Sequence, residues 1–218
     1  GIPVARVELL DALQMRGMNA YSKMDFPEKP HLFFEFHGSD AGVKEQAETV
    51  GELCSDNGGS GFSWATQQEE RNKLWQARHD SYWAGLALRP GCMGYATDVC
   101  VPISELAATI KETVAKVEEN GLMAPVVGHV GDGNFHLLFL LEKDNPQEFE
   151  RAMAVNAWMI DRALSVGGTC TGEHGVGYGK KKYLAKEAST VLPIMQAVKK
   201  ALDPDNLLNP GKIVDFPE

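Results

Sequence analysis

Two short stretches of this chain concentrate residues that can do chemistry. The first is Val127-Gly128-His129-Val130-Gly131-Asp132-Gly133-Asn134-Phe135-His136-Leu137. Asp-Gly is a favoured dipeptide for a two-residue hairpin turn, because both central residues need positive φ. With Asp132 and Gly133 as the turn, Gly131 faces Asn134, Val130 faces Phe135 and His129 faces His136 across the ladder. The two imidazoles then share one face with Cβ atoms roughly 5 Å apart, a spacing suited to one divalent metal. Val130 and Phe135 point the other way, as alternation requires. The bland alternative is a pair of histidines that pack or hydrogen-bond on a solvated sheet face.

The second stretch is Gly167-Gly168-Thr169-Cys170-Thr171-Gly172-Glu173-His174-Gly175-Val176-Gly177-Tyr178-Gly179-Lys180, with six glycines. So many glycines build neither a helix nor a central strand; they let backbone approach a ligand closely. Glu173 supplies a carboxylate, and metal sites commonly combine two histidines with one carboxylate. In this reading His129, His136 and Glu173 hold the ion. His174, adjacent but pointing elsewhere, accepts a proton near neutral pH. A flexible connector with an exposed Glu-His pair is the alternative.

The elements that must position these residues are mixed α and β. Strands are expected over 4–9, 31–37, 62–65 and 93–101, and a hairpin within 126–141. Ser39 or Asp40 opens a helix that stops at Gly58-Gly59, and Thr66-Gln67-Gln68-Glu69 has the spacing of a capping box before a long helix to about Leu88. Further helices follow Pro102, with Leu106, Ile110, Val114 and Val117 at helical spacing, and run over 146–166 and 191–202. This order implies an α+β fold with an antiparallel or mixed sheet and helices on one face. No Gly-x-Gly-x-x-Gly follows an early strand, and no phosphate-binding loop is present.

Composition narrows the partners. The 218 residues are 44% hydrophobic, enough for a real core. A formal charge of −9, with Lys180-Lys181-Lys182 as the one basic run, argues against nucleic acid. The longest apolar run, 137–141, reads as a buried strand rather than a membrane span. The start, Gly1-Ile2-Pro3-Val4, lacks the pattern of a secretion signal and is how a truncated or cleaved product would begin. Cys54, Cys92, Cys100 and Cys170 show no paired spacing, which favours a reducing compartment.

Taken together, Gly128-His-Val-Gly-Asp-Gly-Asn-Phe-His136, Gly168-Thr-Cys-Thr-Gly-Glu-His-Gly-Val-Gly177 with Lys180, and Leu202-Asp-Pro-Asp-Asn-Leu-Leu-Asn-Pro-Gly-Lys-Ile213 resemble the signatures of the FAD-linked oxidase C-terminal domain family. Arg78-His79, Arg89-Pro-Gly-Cys92 and Thr97-Asp-Val-Cys-Val-Pro102 extend the resemblance over nearly the whole chain. The D-lactate dehydrogenase (cytochrome) branch, with glycolate oxidase subunits, is the most similar. The resemblance implies ferredoxin-like lobes that close over FAD carried by an N-terminal domain outside this chain. It puts His129, His136 and Glu173 on the metal ligands, a divalent ion such as Zn or Mn, and His174 on the base. Arg78 falls on the residue that binds the substrate carboxylate, a role suited to a planar fork of donors. Asn134 and Asn209 fall on positions that approach the flavin. Relatives acting on D-2-hydroxyglutarate carry a lysine where this chain has Ala96, so a monocarboxylate such as D-lactate fits better.

The implied reaction is hydride transfer from the α-carbon of a D-2-hydroxyacid to flavin, giving a 2-oxoacid, with electrons passing to a cytochrome, quinone or similar acceptor. The implied setting is a bacterial cytoplasm, peripheral to the inner membrane at most, or a mitochondrion in a eukaryote. A homodimer is compatible with this setting. Two rivals stand beside this reading: a stand-alone divalent-metal hydrolase, and a non-catalytic ferredoxin-like binding module.

Overall fold

The structure is a computed structural model that describes residues 1–65 and 67–216. In chain order the elements are β1 (Val4–Leu10), α1 (Ala12–Ser22), β2 (His31–Phe36), α2 (Asp40–Asp56), α3 (Gln68–His79), α4 (Ser81–Ala87), β3 (Met93–Ala96), β4 (Val99–Cys100), α5 (Ile103–Glu119), β5 (Val126–Gly128), β6 (Asn134–Leu141), α6 (Pro146–Ser165), α7 (Lys181–Glu187) and α8 (Leu192–Leu202). Strand pairing is antiparallel and helices supply most of the rest, so the fold is α+β as expected. Two compact units form. The first comprises Gly1–Ala96, Met123–Asp132 and Leu137–Asn145, and the second the remaining described residues. No described helix is long and apolar enough to cross a membrane.

In the first unit β1 lies between β2 and β5, with Leu10 paired to His31 on one side and Val127 on the other. Leu10, Met15, Met18, Phe33 and Ala77 bury together as its core. Helix α1 is absent from the sequence expectation for a physical reason. Its buried face includes Gln14 and Gly17, which mask the apolar period. Gln14 donates from Nε2 to the Ser81 carbonyl at 2.9 Å, and a Cβ on Gly17 would come 2.6 Å from the Ala84 carbonyl oxygen. The helix is capped by Asp11, whose Oδ1 accepts from the Gln14 amide at 2.7 Å.

Two expectations in this unit need correction. The long helix to Leu88 is broken into α3 and α4 at Asp80, where the Ser81 hydroxyl donates to the Arg78 carbonyl at 2.6 Å. The proposed capping box includes Thr66, which lies outside the described residues, and Gln67 makes no side-chain cap. Residues 62–65 are not a strand. Phe62 instead contacts Phe34 and Trp64, with ring centroids 6.4 and 6.2 Å apart, and stays partly exposed.

The hairpin register also differs. Leu138 donates to the Pro125 carbonyl at 3.0 Å and Leu140 to that of Met123 at 2.9 Å. A two-residue Asp132-Gly133 turn would instead set Leu138 against Val127. The actual turn is longer, closed by the Asp132 amide donating to the His129 carbonyl at 3.0 Å. Of Asp132 and Gly133, Gly133 alone has positive φ, at 81°, so the paired left-handed residues of the expected turn are not formed.

The expected strand over 93–101 forms as two pieces, β3 and, in the second unit, β4, because Thr97-Asp98 interrupts it. Val99 pairs with Phe135 and Cys100 with Asn134, and Cys100 also bridges Thr169. Helix α5 buries Leu106, Thr109, Thr113 and Val117 rather than Ile110 and Val114. Thr113 can face inward because its hydroxyl donates to the Thr109 carbonyl at 2.7 Å. Helix α6 buries Ala152, Val155, Met159, Ile160 and Ala163, and Arg162 on α6 forks onto Glu112 of α5 at 2.6 and 3.3 Å.

Candidate functional site

The site residues fall into two clusters, one per unit. In the first, Glu8 on β1 is buried to 2% exposure. Its carboxylate accepts from Arg78 Nη2 at 2.8 Å and from His129 Nδ1 at 2.8 Å. Burial would raise this carboxyl, but the hydrogen bond from His129 and the charge of Arg78 outweigh it, and it sits below the usual range. Because a carboxylate only accepts, Nδ1 of His129 carries a proton, which in a neutral ring leaves the lone pair on Nε2. Arg78, on the last turn of α3, is not the exposed helix arginine that its polarity alone would suggest. Its side chain is 14% exposed.

In the second cluster His136 on β6 is buried and directs Nδ1 to the Thr97 carbonyl at 2.9 Å. A carbonyl also only accepts, so here too Nε2 carries the lone pair of the neutral ring, and it points at Glu173 Oε1, 3.0 Å away. Burial pushes His136 toward its neutral form and the neighbouring His174 adds to this, with the Thr97 carbonyl opposing. The reading of His174 as pointing elsewhere is corrected. Its ring stacks on His136 with centroids 4.8 Å apart and planes 8° from parallel, and its Nε2 is 3.6 Å from Glu173 Oε1. Consecutive side chains diverge on a strand, but 173 and 174 sit on a loop outside any strand.

Asp98 explains that loop. Its carboxylate, 1% exposed, accepts from the Thr171 hydroxyl at 2.7 Å and from the amides of Gly172, Glu173 and His174 at 2.9, 3.2 and 3.0 Å. Asn134 Nδ2 donates to its other oxygen at 2.8 Å and to the Val99 carbonyl at 2.8 Å. Lys180 Nζ donates to the Asp98 carbonyl at 2.8 Å. Burial opposes ionisation, yet the Thr171, His174 and Asn134 hydrogen bonds and the Lys180 charge hold this carboxyl well below the usual range.

Glycine at 172 is required here, since a Cβ would overlap Asn134 Nδ2 and come 3.0 Å from Asp98 Oδ1. Asn134 is pinned and cannot yield. Gly172→Ala is therefore expected to destabilise the protein by about 1–3 kcal/mol, the usual cost of overpacking, as read from urea unfolding midpoints. An unchanged midpoint would mean the loop repacks freely.

Asn134 is thus buried, with its amide nitrogen spent on Asp98 and Val99. Asn209 is exposed in a turn with φ 49°, a left-handed conformation that Asn tolerates. It is not in the extended region expected before a proline. Its Oδ1 accepts from Lys212 Nζ at 3.0 Å. Glu8 and Asp98, the buried carboxylates that order the two clusters, are residues that sequence reasoning missed. For Asp98 the signal was Thr97-Asp-Val-Cys-Val-Pro102 itself, a motif noticed but given no role; Glu8 carries no motif.

In the second unit, then, a buried strand histidine faces a loop carboxylate beside a second histidine, and in the first a buried carboxylate holds an arginine and a histidine. Residues 1–213 match the family described as FAD linked oxidases, C-terminal domain, and the chain belongs to that family. It is 45% identical over 217 residues to a "Probable D-lactate dehydrogenase, mitochondrial" of Danio rerio, covering 99% of this chain and 44% of that protein. It is 42% identical over 215 residues to the "D-lactate dehydrogenase (cytochrome), mitochondrial" of Arabidopsis thaliana, covering 98% of this chain and 38% of that one. The chain therefore spans less than half the length of these relatives. Among solved structures, a 4-ethylphenol oxidase from Gulosibacter chungangensis shares the fold with a TM-score of 0.71 at 15% identity, over 98% of this chain and 48% of that one.

Proposed function

We propose that this chain is the C-terminal, substrate-side domain of a flavin-dependent dehydrogenase that oxidises a D-2-hydroxyacid of the D-lactate kind to the 2-oxoacid, with FAD carried mainly by an N-terminal domain outside the chain. The supporting observation is the 3.0 Å approach of His136 Nε2 to Glu173 Oε1. With Nδ1 committed to Thr97, the neutral ring turns a lone pair toward a carboxylate oxygen, which is how two ligands of one cation face each other. His129, His136 and Glu173 are the protein ligands in this reading, a donor set suited to Zn or Mn. Glu8, bonded to His129 Nδ1, is the outer carboxylate that such ligands commonly have.

When bound, the cation would acidify the substrate hydroxyl and the flavin would take up the hydride. Arg78 binds the substrate carboxylate, and pairing with Glu8 holds its guanidinium ready. His174 receives the hydroxyl proton. In this reading Asn209 approaches the flavin directly, and Asn134 does so through its Oδ1, since its amide nitrogen is held by Asp98 and Val99. The name of the Arabidopsis relative favours a cytochrome as electron acceptor. A mitochondrial setting follows if the source is eukaryotic, and a cytoplasmic one otherwise.

The test assays the full-length, flavin-loaded protein against D- and L-2-hydroxyacids with a dye acceptor. D-lactate should be oxidised, with the L-isomer at background. Ester or amide hydrolysis by this chain without flavin would replace the reading with that of a metal hydrolase, and binding of neither metal nor 2-hydroxyacid would leave a non-catalytic module.

A further inference from the structure

We propose that Asp98 is a positioning residue: its buried carboxylate sets the 171–174 loop so that Glu173 and His174 are both presented to His136. The inference rests on the functional reading above in taking Glu173 as a cation ligand and His174 as the base. Three successive amides, those of Gly172, Glu173 and His174, converge on Asp98 Oδ2 at 2.9, 3.2 and 3.0 Å, with the Thr171 hydroxyl at 2.7 Å. Successive backbone amides aimed at one point form a nest that binds an anion. Here the anion is a side chain of the same protein.

The neighbouring residue completes the arrangement, since the Thr97 carbonyl accepts from His136 Nδ1 at 2.9 Å. The two-residue link between β3 and β4 therefore holds the strand histidine through one residue and the loop through the next. No helix or strand spans 171–174, so ladder and helical hydrogen bonds cannot place Glu173 and His174. The Asp98 carboxylate takes their role. Asparagine at 98 keeps the shape but lacks the charge, and its amide hydrogens would face the loop amides.

The experiment uses the flavin-loaded full-length protein as wild type, Asp98→Asn and Thr171→Val. It reads the Mn²⁺ dissociation constant, the single-turnover rate of flavin reduction by D-lactate, flavin content and the thermal midpoint. Asp98→Asn should weaken Mn²⁺ binding by about 10–100-fold, as loss of an outer-sphere partner does, and slow flavin reduction by a similar factor. Thr171→Val keeps the charge and removes one donor, so both quantities should shift the same way by a few-fold. A folded, flavin-replete Asp98→Asn protein with wild-type Mn²⁺ affinity and reduction rate overturns the proposal, even if its thermal midpoint falls. Should Asp98→Asn not fold, Thr171→Val decides, and unchanged affinity and rate in it overturn the proposal equally. Failure of the wild type to bind Mn²⁺ sinks the cation reading instead, and Asp98 is then judged on the reduction rate alone.

Discussion

Replacing His174 by Asn is expected to lower the rate of flavin reduction by a D-2-hydroxyacid by about 10²–10⁴-fold, the usual contribution of a positioned general base. The substitution isolates the side chain. The His174 amide, not its ring, bonds to Asp98, so the loop that carries Glu173 keeps its anchor. The ring is about half exposed and stacked on His136. Its loss removes a contact but leaves no buried polar group unmet. Cation content and flavin content should stay at wild-type levels while the single-turnover rate collapses. A rate within threefold or so of wild type would take the base role from His174.

The second large effect is on the cation. His129→Ala should abolish stoichiometric divalent metal, because one of three protein ligands is removed rather than an outer partner worth about 10–100-fold in affinity. The protein should remain folded. His129 is partly exposed, and the Glu8 carboxylate it leaves behind retains its 2.8 Å bond from Arg78. Elemental analysis after gel filtration gives the answer. One equivalent of metal retained in the variant would exclude His129 from the site. Retention in both His129→Ala and His136→Ala would exclude the cation reading altogether.

Part of the candidate site was legible in residue types and spacing. His136 and Glu173 were named as partners from the hairpin and the glycine-rich loop, and they meet at 3.0 Å. That was readable because histidine and carboxylate ligands are few and because glycine clusters mark backbone that must come close to something. Helices α5 and α6 were readable because their apolar period is long and regular. Helix α1 was not, since its buried face carries Gln14 and Gly17, and a glutamine satisfied by a carbonyl distant in sequence leaves no local trace.

Residue order determined the α+β character, the existence of the longer elements and which side chains could do chemistry, because periodicity and residue type are local properties. An even shift in strand register keeps every side chain on its own face. The alternation of β6 is therefore kept although Leu138 lies opposite Pro125 rather than Val127, but the expected pairing of His129 with His136 across the ladder is not formed, since β5 ends at Gly128. Only the tertiary structure decided that register, the break of the long helix at Asp80, the stacking of His174 on His136, and the hydrogen bonds that Glu8 and Asp98 accept. The stacking of His174 and the hydrogen bonds of Glu8 and Asp98 join residues tens of positions apart, and such pairs leave no pattern along the chain.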